Sequence, residues 1–555
     1  MSDQPRAAAW NNSRSAAGRR NPWLVAVVVS IATFMVVLDT AIANVSLRYI
    51  AGSLAASVDE STWVVTTYLI ANAVVLPASG WLSNVLGRKR FYMICVALFT
   101  GSSLLCGLAP NLGLLIFFRI LQGLGGGGMP TSEQAILADT FPIEKRGQAF
   151  ALYGMAVVCA PAIGPTFGGW ITDNFNWHWI FFINVPVGLI SLYLSNRMVE
   201  DPPFLKARKE ASKHLKVDFM GLGLVALGVG FLEFTLDKGQ EKDWFGDPMI
   251  RFTAIFAVCL LIFFAYWEWN HPDPIVDLKL LKNRNFGTAV FLQLILGMVL
   301  FGSTVLIPQY VQVLLGYTAE RAGMVISPAA FVMMFMMFVA GRTVGKMDPR
   351  LMVCIAYVIT ALGVFNLSQL DLTSSFGHII ELRMLQVIAL PFVFIPISTL
   401  NYVGVPAAKT NQISALSNFA RNLGGSAGTA LLTTFIARQA QVHQSALAAN
   451  VVSGSPAFTS FTGRIKEILI GQGMTPVAAG QAAVGEAYQI MLRQASMLGY
   501  KNAFTLLGCV VLTLSPLPFL MRLPPKRPAR PGAPGHGAAA KPTASEPAPE
   551  ELAVH

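Results

Sequence analysis

Apolar stretches long enough to cross a bilayer recur along this chain from Trp23 to Leu523, with no polar domain between them. A helix needs about 20 apolar residues to span a hydrocarbon core, so the pattern prescribes an all-α, polytopic membrane protein. Of 555 residues, 54% are apolar and 12% are charged, whereas soluble domains carry about twice that charged share. Spans are expected near 23–47, 61–82, 90–108, 112–133, 147–170 and 178–198. A pair follows near 217–236 and 250–269. Six more lie near 286–314, 322–341, 350–368, 377–401, 411–436 and 499–521, about 14 in all.

Basic residues orient these spans. Arg88, Lys89 and Arg90, Lys145 and Arg146, Lys206 to Lys216, Lys279 to Arg284, Arg342 to Arg350 and Arg522 to Arg530 fall in connections on one side, which they share with the basic N-terminal tail. The opposite short loops around Pro110, Asn174 and Thr373 hold none. Lys and Arg are retained on the cytoplasmic face, so both termini are expected there. This bias accounts for the net charge of +11; membrane lipid headgroups suffice as its partner, and no nucleic acid is needed. The tail before Arg20 has no apolar core, so no cleavable signal peptide is expected. The tail 524–555 is rich in Pro and Ala and is expected to be disordered. Each of the six cysteines stands alone in an apolar run, which points to buried small hydrophobes rather than a zinc site or disulfides.

The chain repeats itself. Arg119-Ile-Leu-Gln122 returns 264 positions later as Arg383-Met-Leu-Gln386, Gly80 to Arg90 has a degenerate counterpart in Gly341 to Arg350, and Gly164 in AIGPTFGG aligns with Gly425 in NLGGSAG. These near-equal offsets imply two parallel six-helix halves, 23–198 and 286–523, with a helix pair and its loops inserted at 199–285. Such halves hold a substrate between them near the midplane and work by rocking.

At these residues the chain resembles the major facilitator superfamily, in particular the 14-helix drug:proton antiporters of the EmrB/QacA type, over about residues 22–523. Leu38 to Val45 (LDTAIANV) resembles the first-helix signature of that family, Gly80 to Arg90 its cytoplasmic motif, and Arg119 to Gly123 its fourth-helix motif. Ala160 to Gly169 resembles the antiporter motif of the fifth helix, and Trp177 to Pro186 fits as well. Asn84 replaces the usual Asp of the cytoplasmic motif, and Arg48 the Pro that closes the first signature. The resemblance implies an exporter driven by the proton gradient without a cofactor, in a bacterial inner membrane. It also implies drug-like substrates and work beside an EmrA-like periplasmic adaptor and a TolC-like outer-membrane channel.

Three ionisable residues are candidates for proton coupling. Asp39 lies deep in an apolar helix, where a carboxylate must pair, meet water or bind a proton; the alternative is a packing Asp bonded to Thr40 or Asn44. Arg119 is always charged and is expected to face the cavity and act on a nearby carboxylate, unless it forms a structural ion pair. Glu133, further along the same helix, is either that carboxylate or an interfacial residue. Glu233, Asp237 and Glu268 are expected at the membrane interface. Gly80, Gly87, Arg88 and Lys89 are candidates for gating. Gly164, Pro165, Gly168 and Gly169 are expected to permit a close, bent helix crossing. Asn44, Gln122 and Arg421 are the candidate polar residues of the substrate cavity.

Other motifs are set aside. Gly424 to Gly428 matches G-x-S-x-G and Gly123 to Gly128 matches G-x-G-x-x-G, but both lie in membrane helices with no preceding strand. No G-x-x-x-x-G-K-[ST] is present, which removes ATP hydrolysis within this chain. The connection from about 438 to 497 is expected to form helical pieces at the outer membrane surface. The expected function is proton-coupled export of amphipathic or lipophilic compounds. The alternatives are an exporter of one endogenous metabolite or an importer on the same scaffold.

Overall fold

The computed structural model describes residues 21–201, 218–406, 409–450 and 455–522. Both tails, and the basic cluster from Lys206 to Lys216, lie outside the described residues. The first half comprises α1 (Pro22–Ser53), α2 (Val58–Leu86), α3 (Arg88–Gly107), α4 (Leu112–Thr140), α5 (Ile143–Asn174), and a span in two pieces, α6 (Trp179–Phe182) and α7 (Asn184–Met198). The inserted pair is α8 (Phe219–Lys238) and α9 (Pro248–Asn270). The second half runs through α10 (Arg284–Val313), α11 (Ala319–Thr343), α12 (Pro349–Leu367), α13 (Phe376–Val387), α14 (Leu390–Leu400), α15 (Thr410–Asn450), α16 (Pro456–Gly471) and α17 (Pro476–Leu514). Side-chain caps mark many starts: Asn21 caps α1, Asn111 caps α4, Asp247 caps α9 and Asp348 caps α12. No strand occurs among the described residues; an isolated bridge joins Val344 and Met347.

Thirteen helical segments among the described residues are long and apolar enough to cross a membrane. The fourteenth expected span, 411–436, is the first part of α15. It carries Asn411, Gln412, Asn418, Arg421 and Asn422, which dilute its apolarity although it packs against α10 and α17 of the second half and α2 and α4 of the first. Large apolar side chains such as Ile190, Tyr193, Phe252, Ile262 and Phe335 point outward, as a lipid-facing surface requires.

Glycines set how closely the helices approach. A Cβ on Gly127 would meet the Asn72 carbonyl oxygen at 2.4 Å, and one on Gly125 would meet the Phe99 amide at 2.7 Å. The Gly123–Gly128 run thus lets α4 lie directly against α2 and α3, which is a packing role. Two crossings echo each other. In the first half, a Cβ added to Gly164 of α5 would collide with the Cβ of Ala41 in α1; in the second, one added to Gly424 of α15 would collide with the Leu294 carbonyl of α10.

The long connection departs from expectation. Instead of pieces at the membrane surface, α15 and α17 run on without a break for 41 and 39 residues, about 60 Å each at 1.5 Å per residue. That is about twice a hydrocarbon core. The Ala- and Gln-rich stretches continue the helix because nothing in them interrupts it. The two rods touch where Gly499 meets the Ile436 carbonyl, and Asn502 Nδ2 bonds Gln439 Oε1 (3.0 Å) and His443 Nε2 (2.9 Å).

Candidate functional site

Asp39 sits in the middle of α1, and four polar residues from three other helices gather around it. Arg119 and Gln122, one turn apart, share a face of α4. Arg119 Nη1 donates to Asp39 Oδ2 at 2.6 Å, while Gln122 Nε2 donates to Asp39 Oδ1 at 2.9 Å. Asn184 stands at the break between α6 and α7, and its Nδ2 reaches the same Oδ1 at 2.7 Å. The break also exposes the Phe181 carbonyl, which accepts from Ser103 Oγ at 3.0 Å; Ser103 in turn accepts from Gln122 (3.1 Å) and Asn184 (3.0 Å). Arg119 is further held by the Val64 carbonyl (3.0 Å), by Gln122 Oε1 (2.7 Å) and by the Tyr68 ring, 4.2 Å from its guanidinium. Asp39 and Arg119 are both fully buried. Three donors meet the Asp39 carboxylate, one on Oδ2 and two on Oδ1.

This arrangement selects among the alternatives for Arg119 and Glu133 and corrects the placement of Gln122, Glu233 and Glu268. Arg119 pairs with Asp39 and not with Glu133, and it faces the interior of the first half rather than an open cavity. Gln122, expected to line the substrate cavity, is locked inside the same network. Glu133 is not interfacial: it is completely buried, about 20 Å along α4 from Arg119 at the rise of a helix. Glu233 and Glu268 are buried as well, Glu233 accepting from Ser426 Oγ at 3.0 Å and Glu268 from the Val276 amide at 3.3 Å. Asp237 accepts from Thr66 Oγ1 at 2.6 Å.

The second site lies where the two halves meet, at the end of the molecule that carries the basic connections. Arg88, the first residue of α3, is buried; it pairs with Asp139 at 2.5 Å, donates to the Ala135 carbonyl at 3.0 Å, and crosses to Asn411 Oδ1 of α15 at 2.7 Å. Asn411 Nδ2 donates back to Asn84 Oδ1 at 2.7 Å, so the neutral Asn84 serves as an acceptor across the interface. A Cβ on Gly80 would meet Gln412 Cα at 2.8 Å, which makes this contact backbone-close. Gly87 has φ +89°, a conformation glycine adopts freely. Beside it Asp201 Oδ1 accepts from the Lys89 amide at 2.8 Å, and Lys89 Nζ bonds the Asn196 carbonyl at 2.5 Å. A second bridge joins Gln134 of α4 and Asn418 of α15, at 3.2 and 3.0 Å.

Deeper in the interface the lining becomes aromatic. Arg421 donates to Asn418 Oδ1 at 2.5 Å and lies 5.4 Å from the Phe394 ring; Phe394 stacks on Tyr153, and Phe150 stacks on Tyr402. Met337 packs against Gly154. Asn44 is exposed and spends its amide on the Thr40 carbonyl at 3.0 Å. In the α1–α5 crossing, Gly168 lies against Ile42 a little less closely than Gly164 does against Ala41, whereas nothing stands within 4 Å of a Cβ on Gly169. Pro165 would stand 3.5 Å from a Cβ added to Gly323 of α11. Sequence reasoning missed Ser103, Asn184, Asp139, Gln134, Asn411 and Asn418 as site members. A polar side chain inside an apolar run is the signal that finds most of them. No group of His, Cys, Asp and Glu among the described residues converges as a metal site.

Comparison with known proteins places these features among transporters. The model of the Major Facilitator Superfamily matches residues 29–429. The chain is 35% identical over 490 residues to a multidrug export protein EmrB of Haemophilus influenzae, covering 88% of this chain and 94% of the relative. It is 38% identical over 439 residues to a probable multidrug resistance protein EmrY of Escherichia coli, covering 79% and 85%. With the fatty acid resistance protein FarB of Neisseria gonorrhoeae it shares 33% identity over 500 residues, covering 90% and 96%. Among solved structures it resembles the proton:xylose symporter XylE, with a TM-score of 0.55 at 15% identity, covering 90% of this chain and 99% of that one. It likewise resembles the human organic anion transporter MFSD10, with a TM-score of 0.56 at 12% identity, covering 89% and 100%. At these identities the two structures speak to the fold alone.

Proposed function

This chain belongs to the major facilitator superfamily, and from that premise we propose that it is a proton-coupled exporter of amphipathic or lipophilic compounds. It is a multi-pass membrane transporter and not an enzyme. The site is an inner membrane with both termini cytoplasmic, which makes the basic end of the bundle the cytoplasmic gate and the α15–α17 rods the outer projection. The observation that carries the reading is the buried Asp39–Arg119 pair, held next to the α1–α5 crossing at Ala41 and Ile42. A proton on Asp39 removes the charge that holds Arg119 and Asn184, so the network loosens and α1 is free to shift against α5. Substrate meets the aromatic and Met wall of Tyr153, Phe394 and Met337. Arg421 supplies a cation there for amphipathic acids, the class suggested by the fatty acid resistance relative.

The test uses everted vesicles energised by respiration, with ethidium as the probe. Ethidium added to wild-type vesicles is expected to move inward with proton release from the lumen. Asp39→Asn is expected to insert normally and to show neither flux. Ethidium-driven proton movement at the wild-type rate in Asp39→Asn would remove Asp39 from coupling.

The reading extends to partners. Through its likeness to EmrB-type exporters, the protein is proposed to work with an EmrA-like adaptor and a TolC-like channel, and the rods are its docking feature. Polar positions such as Gln441, Gln444, Gln481 and Gln489 suit a wet interface. Deleting residues 450–480, which removes α16 and the start of α17, is expected to abolish adaptor co-purification while vesicle transport continues. Co-purification that survives the deletion rules out this segment as the dock.

A further inference from the structure

Glu133 has no role in the networks around Asp39 and Arg88. Both of its carboxylate oxygens are buried and without a hydrogen-bond partner among the described residues. The same is true of the Tyr92 hydroxyl and of Ser191 Oγ and Ser195 Oγ. These groups belong together. Tyr92 of α3 lies within reach of Ser191 and Ser195, one turn apart on α7, and in electrostatic range of Glu133 of α4. Cys95, one turn beyond Tyr92, also faces Glu133. Five oxygens from three helices thus converge without completing direct bonds. Buried polar groups in this condition are satisfied by water.

The junction runs toward the cytoplasmic end. Ser195 is three residues from the end of α7, Tyr92 four from the start of α3, and Glu133 seven from the end of α4, which sets Glu133 about 10 Å below that end. On the cavity side, Tyr153 of α5 is in range of Glu133, of Gln134 and of Arg421. Titratable groups facing Glu133 are therefore Tyr92 and Cys95 from α3 and Tyr153 from α5, with the two serine hydroxyls from α7. No Arg or Lys among the described residues pairs with it. Arg88, above the junction, is taken by Asp139.

We propose that the junction of α3, α4 and α7 is a hydrated chamber through which Glu133 gives up a proton to the cytoplasm, making it a second proton-carrying residue beside Asp39. The inference rests on the export reading and its orientation. In the step, the O–H bond of the protonated carboxyl breaks and a water accepts the proton, leaving the carboxylate. Tyr92, Ser191 and Ser195 each take a proton from one neighbouring water and pass their own to the next, so no electrons are transferred. Tyr153 connects the carboxyl to the substrate interface, where Arg421 stands.

The experiment is difference infrared spectroscopy of the full-length protein in nanodiscs, taken between acid and alkaline pH. Wild type is expected to show a protonated-carboxyl stretch that disappears with rising pH and that Glu133→Gln removes. Tyr92→Phe and the Ser191→Ala/Ser195→Ala pair, which conserve shape, are expected to shift that band and to slow its exchange in heavy water several-fold. A Glu133 band that never titrates would mark a permanently neutral packing residue and overturn the proposal. So would titration and exchange unchanged by the Tyr92 and serine variants. These spectra need no substrate, so a wild-type protein that fails to couple ethidium to protons in vesicles would count against the export reading alone.

Discussion

Arg383 and Ser303 repeat, 264 positions later, the pairing of Arg119 with Asp39, with a hydroxyl in place of the carboxylate. Arg383 Nη1 donates to Ser303 Oγ at 2.8 Å, its Nη2 to Thr304 Oγ1 at 2.9 Å, and Gln386 completes the set as Gln122 does in the first half. No carboxylate among the described residues pairs with Arg383. The halves share a frame, and a buried acid survives on one side of it.

That difference predicts opposite outcomes for the same substitution. Arg119→Met strands Asp39 in a buried site, and breaking a buried pair from one side costs about 3–5 kcal/mol. Arg383→Met removes a buried cation that has no counter-charge, and Ser303 and Thr304 keep their own-helix acceptors, the Val299 and Leu300 carbonyls at 2.6 Å. Thermal unfolding in detergent is expected to show a markedly lowered midpoint for Arg119→Met and an unchanged or raised one for Arg383→Met. Equal losses in both would mean that Arg383 has a stabilising role of its own.

The α1–α5 crossing separates three glycines that look alike in sequence. Gly164→Leu and Gly168→Leu push into Ala41 and Ile42, two and three residues beyond Asp39, and are expected to reduce ethidium export at least tenfold at matched protein levels. Gly169→Ala meets open space and is expected to transport as wild type. Export by Gly168→Leu at the wild-type rate would show that this contact does not gate the cycle.

At the basic end, the gate of the proposed export cycle, Gly80 and Asn411 hold the halves together by contact and by hydrogen bond. Gly80→Val is blocked by the α15 backbone, and Asn411→Ala deletes the bonds to both Arg88 and Asn84. Either change is expected to bias the protein toward a cytoplasm-open form. Ser414→Cys, buried in the closed gate, is the reporter: an impermeant maleimide applied from the cytoplasmic side should label it several-fold faster in each variant. Labelling that stays slow would place the gate elsewhere.

The fold was largely legible in the sequence, because apolar length and the Arg119/Arg383 repeat each report on it without side-chain detail. Asp39 and Arg119 were legible as single residues, since a charge in an apolar helix calls for a partner. Which partner it takes is a matter of helix rotation and register, and Arg119 lies near Asp39 only because the glycine-rich face of α4 lets it close on its neighbours. Glu133 stayed open between two placements for the same reason: sequence distance from a helix end says how deep a residue is, not whether it faces headgroups or the interior. The rods of α15 and α17 were read as a surface connection because span-finding follows apolarity, whereas a helix continues wherever its backbone is not interrupted.

The inserted pair yields the last prediction. At the outer end, α8 is tied to the first half by Asp237 with Thr66 (2.6 Å), by Lys238 with Thr62 (2.9 Å), and by Phe234 stacked on Trp63. It is tied to the second half by Glu233 with Ser426 (3.0 Å) and, through the turn that follows, by Trp244 Nε1 with Thr434 Oγ1 (2.8 Å). That turn is strained, since Asp243 and Trp244 both have positive φ, 54° and 51°, at about 1–3 kcal/mol each. Strain of this kind persists only where surrounding contacts hold it, here the bond to Thr434. In the proposed export cycle the halves separate at this end, so α8 must part from one of them, and the two bonds to α15 are the weaker set. Trp244→Ala is therefore expected to relax the turn and hasten opening at this end, read as faster labelling of an Ala430→Cys reporter, at a buried position of α15, in the Trp244→Ala background. A disulfide between Glu233→Cys and Ser426→Cys is expected to stop ethidium export until reductant is added. Full turnover with that disulfide closed would mean the inserted pair travels with the second half and parts instead from Thr62 and Thr66.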